Sequence, residues 1–307
     1  MAVIVANKTG NTDGVAHSFL QNVQSKMPIV LISRANDFVF NDDLLALKGK
    51  SWALCCFMEY GWRWDEELHY WGINSHEFDF MQGDEWEKFD DFIRDCPPAV
   101  TLKRELLQDD ACDTLRPIEY PSIITPIPIQ SKEEFNNRPL SAVYYFGRSH
   151  EERLRIHSDV WRNASKYGYS VCDNLYYFNG FMANETGKKY ASFHIPHYAR
   201  HPIESVLTIN GLGKFGIVPF GAGRKTFRHT EVTANSIMLT WKDNLAWSFP
   251  WQDGKNCFVC DIGEEVETIE ELSTCDLYDV YRGGVENWKN YEYNNYIKHI
   301  ESIINSF

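Results

Sequence analysis

The sequence predicts an α/β protein made of two Rossmann-like domains whose parallel sheets face each other across a cleft. Three observations predict it. The length of 307 residues exceeds what one core usually holds, which points to two domains. Short apolar runs alternate with turns and helix-like stretches in both halves. Between the halves, residues 116–139 carry Pro117, Pro121, Pro126, Pro128 and Pro139, which favour extended chain over helix and mark a boundary. The expected division is residues 1–130, residues 131–284, and a final helix over 285–307 that packs back on the first domain.

In the first half, residues 2–6 read as an apolar strand, 7–14 as a turn-rich loop, 15–26 as a helix and 28–33 (PIVLIS) as a second strand. That order argues for parallel pairing through crossovers. Residues 42–48 look helical, and 51–58 (SWALCCFM) form a third buried strand that stops at Glu59. Residues at the carboxyl ends of such strands line the ligand crevice, which brings 7–13 and 59–64 toward it. Residues 62–71 (WRWDEELHYW) mix carboxylates with aromatic rings; they suit sugar stacking and equally suit an amphipathic helix. An acidic helix over 85–94 and a brief strand over 99–102, followed by Lys103-Arg104-Glu105, complete this half.

The second half restarts the same pattern. Residues 140–146 (LSAVYYF) form a strand that ends at Gly147-Arg148-Ser149, and the helix expected over 150–167 carries Arg153 and Arg155. Short strands follow at 170–173 and 190–197, then a helix over 201–210. The stretch 215–239, FGIVPFGAGRKTFRHTEVTANSIML, is strand, glycine turn, helix and strand. Glycine lets backbone approach a ligand closely, and a helix start presents unpaired N–H groups to an anion. Arg224, Lys225 and Arg228 place three cations there, and Glu231 lies three residues after Arg228, on the same helical face. A cation for phosphate beside a carboxylate for sugar hydroxyls is what a nucleotide requires. On spacing alone that reading stands level with a solvated basic helix start.

With two Gly/Arg turns in one parallel domain, both would open on one sheet edge and clasp one diphosphate. Neither turn continues into Gly-Lys-Ser/Thr, so neither is a Walker loop, and Gly211-Leu212-Gly213 lacks the third glycine of a dinucleotide fingerprint. His194, His197 and His201 are interrupted by Pro196 and read as a histidine-bearing loop, and the lone Cys257-x-x-Cys260 reads as core. No metal site is expected. His229 reads as a helix-surface residue. Residues 241–254, with three tryptophans, read either as a loop closing over a ligand or as a hydrophobic plug.

Thirty basic against 43 acidic residues give a net charge of −13, which makes nucleic acid an unlikely partner and leaves a small anionic ligand open. No apolar run approaches the ~18 residues that cross a bilayer, and the start of the chain reads as a strand, not a signal peptide. Eight scattered cysteines fit reduced thiols and a cytoplasmic location.

The motifs Phe146-Gly147-Arg148-Ser149 with Arg153, and Thr226-Phe227-Arg228-His229-Thr230-Glu231 leading into Ile237-Met238-Leu239, resemble the donor-binding domain of GT-B glycosyltransferases. The likeness is to the exostosin-like group and, more distantly, to a phage DNA β-glucosyltransferase; it covers residues 140–260, and the first half only as architecture. It implies a GT-B-like fold and transfer of a hexosyl or pentosyl group from a nucleotide sugar, such as a UDP- or GDP-sugar, to a glycan, lipid-linked or protein hydroxyl. It assigns Arg148, Arg153 and Arg228 to the diphosphate, with Lys225 as a further phosphate contact, and Glu231 to the ribose; the Gly147-Arg148-Ser149 turn would add a backbone N–H and a hydroxyl to the same anion. No Asp-x-Asp occurs, so fixed cations in place of a metal are expected to stabilise the leaving group, with no further cofactor. Asp13, Glu59 and Asp65 are the candidates for the base. One departure from the family pattern is Asn235-Ser236, where GT-B chains often place glycine. A non-catalytic sugar-nucleotide-binding protein and a sugar-nucleotide epimerase are the alternatives.

Overall fold

A computed structural model describes residues 3–7, 14–33, 38–57, 64–65, 70–71, 84–125, 127–147, 171–172, 190–195, 203–219 and 225–307. The chain forms two compact units. Unit 1 comprises residues 1–121, 244–250 and 293–307, and unit 2 comprises residues 122–243 and 251–292. Among the described residues no helix is long and apolar enough to cross a membrane.

Unit 1 begins with β1 (Val3–Val5), α1 (Gly14–Gln21), β2 (Ile29–Ile32), α2 (Asp42–Leu45) and β3 (Ala53–Cys56). It continues through β4 (Trp64–Asp65), β5 (Tyr70–Trp71), α3 (Asp84–Asp95), β6 (Val100–Lys103) and β7 (Leu115–Pro117). Five strands make one parallel sheet in the order β1-β2-β3-β6-β7. β2 and β3 are buried at every position, as apolar runs without alternation require in a sheet covered on both faces. On one face Val30, Ile32, Leu54 and Cys56 share a core with Trp86, Phe89 and Phe92. Those three recur every third residue along α3, so its acids Asp84, Glu85 and Glu87 fall elsewhere on the helix. Phe38 stacks on Trp86 with ring centroids 3.9 Å apart. Residues 64–71 differ from the helical alternative: β4 and β5 pair antiparallel, Trp64 opposite Trp71 and Asp65 opposite Tyr70.

Unit 2 holds α4 (Lys132–Asn136), β8 (Leu140–Gly147), β9 (Val171–Cys172), β10 (Tyr190–Ile195), α5 (Ile203–Asn210), β11 (Gly213–Val218), α6 (Phe227–Thr233), β12 (Ile237–Trp241), β13 (Phe258–Cys260), α7 (Glu265–Leu272) and α8 (Tyr278–Tyr291). Its six-stranded sheet runs β13-β12-β11-β8-β10-β9, and every recorded pair is parallel. The proline-rich segment contains a helix that proline content argued against. α4 forms because Ser131 caps it: the Ser131 hydroxyl sits 3.2 Å from the Glu134 N–H, and Glu134 Oε2 accepts the Ser131 N–H at 2.7 Å.

The last helical region is two helices, not the single one expected over 285–307. α8 ends at Glu292 with φ −54° and ψ 140°, and α9 (Tyr293–Ile304) follows at once. A pairing distant in sequence explains the break: Glu292 forms a parallel bridge with Ser122, whose N–H donates to the Tyr291 carbonyl at 2.6 Å. α9 belongs to unit 1, where Tyr296, Ile300 and Ile304 are buried and Tyr296 lies 5.8 Å from the Phe19 ring.

The described cysteines are free thiols; Cys55, Cys56, Cys96, Cys257 and Cys260 are buried and Cys112 and Cys275 exposed. Burial pushes the Cys257 thiol up to about 12 and raises Cys55 and Cys260 as well, whereas hydrogen bonding to Thr114 lowers Cys112. A maleimide at neutral pH is therefore expected to label Cys112 and Cys275 in the native protein and spare the five buried thiols until urea is added, as read by peptide mass spectrometry.

Candidate functional site

The unit 2 sheet has one topological switch point. From β8 the chain passes to the edge strand β9 and returns to β10 beside β8, then crosses to the other side, where β11, β12 and β13 follow outward. β8 and β11 are adjacent and parallel, with Phe215 opposite Ala142 and Gly216 opposite Val143. Their carboxyl ends, Gly147 and Val218, therefore point to the same sheet edge, where open α/β sheets bind ligands. Both proposed Gly/Arg turns leave from these two strand ends. Among the described residues, the five strands of the large unit 1 sheet lie in chain order.

At that edge the chain re-emerges at Lys225, which is 2% exposed, passes through Thr226 and enters α6. Gly216 lets the helix lie close on β11, since a Cβ there would sit 2.5 Å from Val232 Cγ1. Val218, Val232 and Met238 join Cys257 in the core beneath it. Arg228 Nη1 donates to Glu231 Oε2 at 2.9 Å, with side chains 9% and 25% exposed. The structure thus places Lys225 just before the helix and pairs Arg228 with Glu231 on its first turns. Arg228 is largely buried and Glu231 partly so, so the pair is more than a fully solvated surface contact. α6 has only seven residues, so its dipole is small and side chains carry the charge.

His229 is buried, at 1% exposure, and is not a surface residue. Its Nδ1 lies 3.2 Å from the Thr226 nitrogen and 3.1 Å from the Thr226 carbonyl oxygen, so the ring folds back over the start of the helix. The Asn235-Ser236 departure has a structural use. Asn235 Nδ2 donates to the Leu207 carbonyl at 3.1 Å, and Ser236 Oγ donates to the Asn210 carbonyl at 2.5 Å, tying α5 to the end of α6. Gly211 and Leu212 precede β11 at its amino end, at the sheet edge opposite Gly147 and Val218.

Gly147 closes β8 in register with Ile195. Arg148, Ser149, Arg153 and Arg224 lie outside the described residues, as do Asp13 and Glu59, and His197 and His201 of the histidine loop. Asp65 is on β4, opposite Tyr70. Within residues 241–254, Leu245 and Ala246 are buried, Leu245 bridges Leu107, and the Ala246 N–H donates to the Leu106 carbonyl at 2.8 Å. Trp241 is buried and donates to Glu265 Oε1 at 2.6 Å.

One group in unit 1 drew no functional reading from the sequence. Lys103, Arg104 and Glu105 follow β6 at its carboxyl end and are 6%, 1% and 5% exposed. Arg104 donates to Glu105 at 3.2 Å and to the Tyr120 hydroxyl at 3.1 Å, and burial lowers the Lys103 ammonium. Three successive charges directly after an apolar strand were the available signal.

No protein-family model and no curated protein matches the chain. Solved structures do. A pneumococcal O-GlcNAc transferase, GtfA, in complex with UDP and GlcNAc matches 95% of the chain at TM-score 0.51 and 8% identity, and TarM matches 95% at 0.52 and 11%. The fold is that of GT-B glycosyltransferases. An S. aureus TarM variant in complex with fondaparinux, α-GlcNAc-glycerol and UDP matches at TM-score 0.50 and 10% identity. The chain spans only 59% and 57% of the lengths of GtfA and TarM, so the likeness extends to this GT-B framework and not to the whole of either protein.

Proposed function

We propose that the chain is a glycosyltransferase that takes a sugar from a nucleotide-sugar donor held by unit 2. The observation that carries this reading is the switch point between β8 and β11, whose second loop delivers the buried Lys225 and the Arg228–Glu231 pair to one edge. Support also comes from the UDP bound in the GtfA and TarM-variant structures. In this reading Lys225 and Arg228, with Gly147, Arg148, Ser149 and Arg153, hold the diphosphate, and Glu231 takes the ribose hydroxyls. Fixed cations then offset charge on the departing diphosphate without a metal. A carboxylate of unit 1, from among Asp13, Glu59 and Asp65, deprotonates a glycan, lipid-linked or protein hydroxyl. The exostosin-like affinity, hexosyl or pentosyl transfer and a cytoplasmic setting belong to the same proposal.

A thermal-shift panel of UDP, GDP, ADP and their sugars tests the donor assignment. At a hundredfold excess over Kd a bound nucleotide adds about 2.7 kcal/mol, enough to move Tm by several degrees. At least one nucleotide sugar is expected to do so; a flat response across the panel sinks the reading.

A further inference from the structure

We infer that His229 is a positioning residue of the proposed donor grip, locking the Lys225–Thr226 turn without adding negative charge to it. This rests on the nucleotide-sugar reading above. Thr226 is the cap of α6, with φ −123° and ψ 160°, and follows the buried Lys225 directly. One side-chain atom brackets its backbone: His229 Nδ1 lies 3.2 Å from the Thr226 nitrogen, 3.1 Å from its carbonyl oxygen and 3.4 Å from its hydroxyl. Whichever ring nitrogen carries the proton, Nδ1 faces a complementary backbone group. The ring is itself held in place. It is 1% exposed, so the surrounding packing leaves it little room to turn.

The position it occupies, three residues after the cap, is where helices usually place Glu or Gln to close a capping box. A glutamate would secure the backbone equally well, but it would set a full negative charge beside Lys225 and Arg228. An imidazole makes the same contact while neutral, so the cations keep their field for a diphosphate. Both residues can close the box, but burial at 1% exposure also penalises a carboxylate, so the variants' binding, read beside their Tm, separates a role toward an anionic ligand from packing.

The experiment is calorimetric titration of UDP and GDP into wild type, His229→Gln, His229→Glu and His229→Leu, with the Tm of each variant. Gln, neutral and able both to donate and to accept, is expected to stay within a few-fold of the wild-type Kd. Glu is expected to bind at least about tenfold more weakly while melting near the wild type, and Leu is expected to weaken binding as well. Wild-type binding together with undiminished binding by His229→Glu overturns the inference and leaves the donor reading standing. If Glu fails to fold at this buried site, the Gln and Leu pair decides: equal Kd values for the two overturn it. Absence of heat from the wild type with either nucleotide overturns the donor reading and the inference with it.

Discussion

Arg138→Met is expected to lower the Tm of the protein by roughly 6–12 °C, the largest stability effect foreseen for a single side chain. Arg138 is 8% exposed, and its guanidinium is surrounded by acceptors. Nη1 donates to the Gly213 carbonyl at 2.6 Å and to Ser236 Oγ at 3.3 Å, Nη2 to Asn235 Oδ1 at 3.3 Å and to Gln130 Oε1 at 2.7 Å, and Nε to Gln130 at 3.0 Å. The rings of Phe135 and Tyr281, stacked on each other at 4.7 Å, lie beside it with centroids 4.9 and 5.0 Å away. Methionine fills much of the volume but leaves the Gln130 amide oxygen without these donors. Hydrogen bonds to a charged group contribute about 1.5–3 kcal/mol each, and a buried acceptor left bare costs a further ~1–3 kcal/mol. The contributions are not additive, so about 3 kcal/mol is the working figure, at ~2–4 °C per kcal/mol. Burial lowers the guanidinium to about 10, still far above neutral pH, so the cation is intact under ordinary conditions. Arg138→Lys is expected to recover little, because an ammonium cannot reproduce the planar fork. A Tm drop under about 2 °C for Arg138→Met would refute this account.

The second large effect concerns binding. Arg228→Ala is expected to abolish nucleotide-induced stabilisation, since it removes the cation and strands Glu231 among anions. Glu231→Gln is expected to do less to diphosphate affinity and more to sugar recognition, so that UDP and 2′-deoxy-UDP become bound alike. Because Arg228 and Glu231 are 2.9 Å apart, the double variant should cost less than the two single changes summed. Full additivity would mean that the pair acts as two independent contacts. A circular dichroism melt of each variant separates lost binding from lost fold, which matters because Arg228 is largely buried.

How far this was legible in the sequence depends on what each signal measured. Apolar runs such as Ile29–Ile32, Ala53–Cys56 and Ile237–Trp241 found the strands because a parallel sheet buries them on both faces. Glycine after such a run located the switch point, since Gly147 closes β8. Proline counting failed at α4, where five residues fit between the breakers and the Ser131–Glu134 capping box starts a helix that proline content does not register. Helical spacing of Tyr291, Tyr296, Ile300 and Ile304 ran straight through Glu292, because what interrupts the helix is a bridge to Ser122, distant in sequence. At the site, the Arg228-x-x-Glu231 spacing was plain. That the two would hold each other, and that His229 would turn inward over Thr226, depends on how closely α6 lies on β11, which no local pattern encodes.

The break at Glu292 has a consequence for biosynthesis. As the ribosome releases the chain, all seven strands of the first 117 residues emerge early, yet the segment over 244–250 and α9, both part of unit 1, emerge much later. Until then Phe19 lacks the cover that Tyr293 and Tyr296 of α9 give it in the folded protein. Unit 2 needs nothing beyond residue 292 and can close first. The half of the protein translated first is thus the half completed last, and its nascent sheet is the part most in need of a chaperone.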